Sequence, residues 1–524
     1  MSDVSPNSAP EPMPRAGYLR RIGERLAADG TFYGLAAVVL IHALMYLFLI
    51  FTRVKYPFAI DWLEDCGMYE SREIALGRPL FPLDGGSFVP LAYPPVYYAL
   101  VAFVGRLVGG VDFTVGRGVS NAAFIVSGVI AAVHVRRVLM TTLSFDRRHA
   151  TALAASVLVL SGSAVAAARG AFDLARIDTL GGAFLICALV VGAQVVSDAR
   201  YQRPLYPVAV AVLMTLAVYT KQLHLASAVA MALFLGRAHL RSGLIYAGAF
   251  SALCVGAFIA LQSSSHGAFA TYIFAQRHHV ILPERAVVGA SVLVIGSVQL
   301  PFTLLFGLFR LRRLSAGTRF WVLSTLATIP GALLAFAKIW GEANNFLPIL
   351  MLTPIPMLLV MSETASTWLG TSKHAARIVA VAVAMFLLGK VTELDPFRLT
   401  PTAQQRATRF VDEIAKLDGD VVCPIYPFMP VLAGHTEPQT ALLTLLDSEA
   451  AHIPNVTAAG YLAKLRDRKP RYFLMTGHVA ERLLEPMLAS DYHFVRKMES
   501  PDPGEVVQLY VVPNLLYERN PPKP

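Results

Sequence analysis

The sequence predicts a mainly α-helical polytopic membrane protein with about eleven transmembrane helices, a count that could run from 10 to 13, and a C-terminal extracytoplasmic α/β domain. Three observations lead there. Apolar residues make up 55% of the 524 and charged residues 15%, against about 25% charged in average soluble chains. Mean hydropathy is +0.54, more apolar surface than a water-soluble fold hides. The net charge of +10 is also uneven. Residues 1–390 hold 31 Lys/Arg against 18 Asp/Glu, while the chain from Val391 onward holds 14 against 17. An acidic tail has no nucleic-acid footprint, and four cysteines cannot staple a chain of this size.

Apolar segments of spanning or near-spanning length lie near 31–52, 116–135, 150–168, 176–197, 204–220, 222–237, 241–262, 287–309, 319–337, 345–361 and 375–391. The polar first 30 residues lack a cleavage signal behind the first apolar run, so they read as a cytoplasmic tail before a retained anchor. The tail, Arg136/Arg137 with Arg147/Arg148, Arg200/Arg203, Arg237/Arg241, Arg310/Arg312/Arg313/Arg319 and Lys373/Arg377 carry 18 of the 31 basic groups. Those loops are expected inside. The transmembrane part is therefore 31–391, with a first outer loop over 53–115. Residues 392–524 form the soluble domain outside, expected as helices near 402–417, 439–447, 456–467 and 478–489 with strands at 420–426, 471–475 and 505–512. Residues 93–110 are apolar, but a span there would invert every later loop. Pro94-Pro95 instead suggests a helix lying along or dipping into the outer face, with a genuine span as the alternative.

The outer loop carries the chemistry. Ile60-Asp61-Trp62-Leu63-Glu64-Asp65-Cys66 places three carboxylates in five residues beside the first span, which is costly unless they are solvated, paired or used. A short helix at Tyr69–Leu76 follows, then Gly77-Arg78-Pro79-Leu80-Phe81, a turn at Asp84-Gly85-Gly86 and the run Tyr93-Pro94-Pro95-Val96-Tyr97-Tyr98. Further along come Arg176-Ile177-Asp178, Lys221-Gln222 between two short spans, and Asn344-Asn345-Phe346 entering a late one.

This combination resembles the lipid-dependent glycosyltransferases of the GT-C superfamily, among them the lipid A aminoarabinose transferase and protein O-mannosyltransferase group. It covers roughly the first 360 residues. Asp61 and Glu64 stand three apart, with Asp65 beside them, where the family has an adjacent acidic pair. The resemblance implies a polyprenyl-phosphate-linked sugar donor, a glycan, lipid or protein acceptor and an inverting displacement in a bacterial plasma membrane. It implies no required cofactor, with a divalent cation at the acidic loop as an alternative.

Such chemistry needs a carboxylate to deprotonate the acceptor and cations to hold the departing phosphate. Asp61, Glu64 and Asp65 are the candidate catalytic residues. Arg176, Lys221, Arg277 and Lys338 are the candidate cations. Tyr93, Asp173, Asp178, Gln222, His278, Asn344 and Asn345 complete the candidate substrate site. Plainer roles compete at several positions: an Arg176–Asp178 ion pair at a helix end, a snorkelling Lys221, a helix-capping Asn344 or Asn345. Adjacent His278 and His279 seldom chelate one ion, and no Cys-x-x-Cys, Walker or Gly-x-Ser-x-Gly motif is present, so no metal site is expected. Cys66 and Cys423 both fall outside, where a disulfide could tie the first loop to the tail. The rival class is a secondary transporter or lipid flippase, but the halves show no internal repeat.

Overall fold

A computed structural model describes residues 15–82, 88–163, 167–168, 170–275, 278–339, 341–390, 397–436, 438–499 and 513–521. The first helix, α1 (Arg15–Val54), starts inside the segment expected to be a polar tail. Two short helices, α2 (Trp62–Ala75) and α3 (Val96–Val108), precede α4 (Phe113–Thr141), α5 (Arg147–Gly162), α6 (Ile177–Ser197), α7 (Leu205–Thr220), α8 (Leu225–Ala238) and α9 (Leu240–Ser264). The bundle continues through α10 (Ala268–Ala275), α11 (Pro283–Gly296), α12 (Gln299–Phe309), α13 (Ala316–Ala337), α14 (Leu347–Leu352), α15 (Pro354–Leu369) and α16 (Ser372–Leu388).

The described helices match the expected eleven spans only in part. Among the described residues six stretches are long and apolar enough to cross a bilayer: 29–54, α4, α6, α9, α13 and 343–369. The difference has two sources. Helices α5, α7, α8 and α16 have 14 to 17 residues, short of the about 20 that an untilted crossing takes. The segment expected as one span over 287–309 is instead α11 and α12, bent by 91° at Ser297-Val298. Helix α3 has 13 residues, about 20 Å at 1.5 Å per residue, and so cannot cross the hydrocarbon core. Large apolar side chains on α1, α9 and α11–α12 are left exposed, Phe309 at 91%, as a lipid-facing surface would be.

The tail contains α17 (Pro401–Ala415), β1 (Val421–Val422), α18 (Phe428–Leu432), α19 (Leu442–Ala450), α20 (Ala458–Arg468), β2 (Tyr472–Met475), α21 (Glu485–Asp491), β3 (Tyr492–Lys497) and β4 (Leu515–Arg519). Its sheet runs β1-β2-β4-β3, with β1 parallel to β2 and the other pairs antiparallel. The expected strand at 420–426 shrinks to two residues, and β3 and β4 were not foreseen. The strand expected at 505–512 and the turn at 84–86 lie outside the described residues.

The tail does not stand apart. Tyr56, Phe58, Met68 and Tyr97 of the first loop share one apolar core with Phe410, Tyr426, Phe428 and Phe473 of the tail. Polar contacts fix the registry: Phe428 N–H donates to Asp65 at 2.7 Å, Gln439 N–H to the Tyr69 hydroxyl at 2.9 Å, and the Thr444 hydroxyl to Val89 C=O at 2.9 Å. Cys66 and Cys423 are both buried free thiols. No disulfide is needed where so much apolar surface is shared.

Candidate functional site

The acidic stretch is not a loop. The helix expected from Tyr69 begins at Trp62, with Asp61 as its N-cap accepting from Leu63 N–H at 2.8 Å. Glu64 and Asp65 occupy the first turn, where carboxylates favour the positive end of the helix dipole. All three are buried, and each has a different partner.

Asp61 is ion-paired to Arg176, the residue that opens α6. Burial raises the Asp61 carboxyl to about 6; Arg176 pulls it down and Glu342 pushes it up. Glu64 is fully enclosed and saturated. Arg117 Nε and Nη2 donate to its two oxygens at 2.7 Å each, and Ile60 and Ala175 N–H add 2.8 and 2.7 Å contacts. Burial raises its carboxyl, but Arg117 and these donors outweigh it and hold Glu64 below the usual range. Asp65 accepts Phe428 N–H through one oxygen, and burial raises its carboxyl well above the usual range. The one hydrogen bond that ties Asp65 to the tail can also be accepted by an amide oxygen, so Asp65→Asn is expected to shift stability by no more than about 1 kcal/mol, measurable by thermal unfolding in detergent.

A second cluster adjoins the first. Asp178 receives Lys221 Nζ, Arg176 Nε at 3.4 Å, and Asn344 Nδ2 at 3.0 and 3.1 Å to its two oxygens. Lys221 also donates to Asn345 Oδ1 at 2.7 Å and lies 5.9 Å from the Tyr93 ring centre. Tyr93, Leu63, Tyr98, Arg176, Asp178 and Asn344 line a narrow cleft at this junction. Gln222 donates to Ala92 C=O at 3.0 Å and holds the approach to Tyr93. The Asn344-Asn345 turn is fixed by Gly341, where an added Cβ would fall 2.3 Å from Ala335 C=O and 2.5 Å from Phe336 C=O. Lys221 thus does more than snorkel, and Asn344 caps nothing with its side chain.

Other expected residues fall elsewhere. Asp173 pairs with Arg53 at 2.9 Å, both buried, rather than with Arg176. His278 is exposed with its ring 5.7 Å from that of His452 in the tail, and His279 pairs with Asp447 at 2.9 Å. Arg277 lies outside the described residues. Among those residues no three of His, Cys, Asp and Glu gather as metal ligands would. The ammonium of Lys338 has no hydrogen bond or ion pair among the described residues, and its field is shared with Asp447 and Lys221.

Sequence reasoning missed three residues. Arg117, fully buried, also donates to the carbonyls of Arg53 at 2.9 Å, Tyr56 at 2.6 Å and Phe58 at 2.7 Å. A lone arginine at the start of an apolar segment was the available signal. Arg53 sits at the end of the first span. Glu342, two residues before Asn344, acts electrostatically on Asp61, Arg176, Lys221 and Tyr93.

No family model and no curated protein matches this chain. Solved structures do. The fold is similar to that of ArnT, the lipid A aminoarabinose transferase, from Cupriavidus metallidurans bound to undecaprenyl phosphate. TM-score is 0.57 and identity 13%, over 94% of this chain and 98% of that one. The apo form of the same enzyme aligns at 0.57 and 13%, over 92% and 97%. The archaeal oligosaccharyltransferase AglB from Archaeoglobus fulgidus aligns at 0.46 and 12%, over 86% and 70%. The chain therefore shares the fold of ArnT over nearly its whole length, in line with the resemblance carried by the outer-loop residues.

Proposed function

We propose that this protein is an integral-membrane glycosyltransferase that moves a sugar from a polyprenyl-phosphate donor to a hydroxyl acceptor at the face carrying the tail. One observation carries the reading: a buried carboxylate with a raised pKa, Asp61, is paired to Arg176, which lines a cleft at the helix ends beside Asp178 and its cations. A base titrating near the working pH is what general-base catalysis favours. Asp61 takes the acceptor's proton as its oxygen bonds to the anomeric carbon. The bond from that carbon to the phosphate oxygen breaks, and the electron pair leaves with the phosphate. Arg176 holds Asp61 in place, while Asp178 organises Lys221 and Asn344. Glu64, saturated by Arg117, shapes the loop, and Asp65 anchors the tail.

Arg176 and Lys221 are already paired to carboxylates, so the departing phosphate falls to Lys338, with Arg277. The undecaprenyl phosphate bound by ArnT supports a donor of that class here. The charged groups gather at helix ends on one face, which suits surface transfer better than a path through the bilayer. Bacterial plasma membrane and outer-face orientation belong to the same proposal, on the arginine-rich loops.

The test is release of undecaprenyl phosphate from membrane-extracted polyprenyl-phosphate sugars by the purified protein in liposomes, followed by mass spectrometry. Release by the wild type and not by Asp61→Asn supports the reading. No release from any such donor, with acceptor lipids and glycans supplied, rejects it. Lys338→Ala is expected to weaken undecaprenyl phosphate binding about 10-fold to 100-fold, the worth of one charge-assisted contact of roughly 1.5–3 kcal/mol. Unchanged affinity in that variant removes Lys338 from the phosphate.

A further inference from the structure

The opposite end of the bundle holds a second polar cavity, of about 350 Å³, within the size range of small-molecule sites. It lies between the ends of α4, α6 and α13, against Leu359 of α15. Helix α6 separates it from the first site: Asp178 and Asp198 stand twenty residues apart, about 30 Å along the axis. None of its groups takes part in the chemistry proposed above.

Its lining is suited to an anion. Arg137 and Arg200 share a single carboxylate, Asp198, at 3.5 and 2.7 Å, which leaves one positive charge over. Arg137 also donates to the Tyr201 hydroxyl at 2.8 Å and stacks on its ring at 5.4 Å. Ser315 opens α13 and its hydroxyl caps Thr318 N–H. The N–H groups of Ala316 and Gly317, both on the cavity wall, have no partner among the described residues. A 22-residue helix thus presents its positive end to the space. Glu363 binds the other side of that turn, through Ser315 and Thr318.

A second, independent observation comes from His134, which is 6% exposed. Its Nε2 accepts from the Trp321 indole at 3.0 Å. The neutral ring must then carry its proton on Nδ1, and that atom has no partner among the described residues. A buried donor left unsatisfied costs about 1–3 kcal/mol, so an acceptor in the cavity would relieve it.

We propose that this cavity binds the phosphate group of an anionic ligand, seated between Arg137, Arg200 and the first turn of α13. An anionic phospholipid headgroup is the source that fits best. The cavity lies on the face where Arg136, Arg147, Arg148, Arg203, Arg312 and Arg313 also gather, and basic pockets between helices at such a face take anionic headgroups. Occupancy ties together the far ends of α4, α6 and α13. The other ends of those helices carry Arg117, Asp178 and the approach to Lys338.

Native mass spectrometry of the full chain, delipidated and mixed with phosphatidylglycerol or phosphatidylcholine, tests this. Wild type is expected to retain one phosphatidylglycerol and no phosphatidylcholine. The Arg137→Gln/Arg200→Gln double variant should lose that retention at least 10-fold, and Arg312→Gln/Arg313→Gln, outside the cavity, should keep it. Inorganic phosphate is the second arm. A thermal shift with phosphate that the cavity double variant abolishes, without lipid retention, keeps the site and assigns it a soluble phosphate ligand. Equal retention in both double variants, with no phosphate shift, overturns the proposal. Arg200→Gln alone, on a side chain 77% exposed, preserves the test if the double variant fails to fold.

Discussion

Asp61→Asn is expected to lower sugar transfer by about 10²–10⁴, the usual loss when a general base is removed, while the protein still folds. The amide keeps the cap on Leu63 N–H through its oxygen and gives up the acceptor facing Arg176, which keeps Asp178 as a carboxylate partner. The wild-type pH profile should carry the same signature. A base must be deprotonated to work, and burial raises Asp61 to about 6. kcat/KM should therefore be flat above about pH 7 and fall as pH drops through 6. Arg176→Gln should move that limb to higher pH, because Arg176 is the group that lowers the Asp61 carboxyl. A limb near pH 4 in the wild type, or near-normal turnover in Asp61→Asn, would remove Asp61 as the base.

The largest stability effect is expected at Arg117→Met. Arg117 and Glu64 are both 0% exposed, with Nη2 and a carboxylate oxygen 2.7 Å apart. Breaking such a pair strands a charge and typically costs 3–5 kcal/mol. The Tyr56 and Phe58 carbonyls of the loop lose the Arg117 donor at the same time, as does Arg53 C=O at the end of α1. The loss should appear as reduced accumulation and a lower unfolding temperature in detergent. Glu64→Gln should also destabilise, and by more than Asp61→Asn, since Arg176 keeps Asp178 whereas Arg117 has no second carboxylate among the described residues; this contrast separates the structural carboxylate from the proposed base. Equal stability of Arg117→Met and wild type would mean that the enclosed pair contributes nothing net.

The first outer loop shows how far residues alone could go. Asp61-x-x-Glu64-Asp65 was visible as a costly acidic cluster, and the tyrosine-proline run and Arg176-x-Asp178 were visible as companions. Their division of labour was not. That depends on where α2 begins: starting at Trp62 instead of Tyr69 turns a loop into a first helical turn and aims the three carboxylates at three partners. Those partners come from α4, the turn before α6 and the tail, at separations of 53, 115 and 363 residues. Sequence spacing carries no information about contacts of that range.

Composition and charge bias determined the class of this protein. Apolar runs cannot be hidden in water, and the arginines fall into alternate loops. For residues 93–110 Pro94-Pro95 suggested a helix along the surface and left a crossing as the alternative; the 13 residues of α3 decided against the crossing. The tertiary structure alone decided which apolar segments break, as at the 91° bend between α11 and α12. It decided that the tail and first loop share one core, and that Arg117, Arg53 and Glu342 join the polar network. The physical reason is the same throughout. Hydropathy and local propensity act along the chain, whereas a buried charge is stable only beside a partner that folding brings to it.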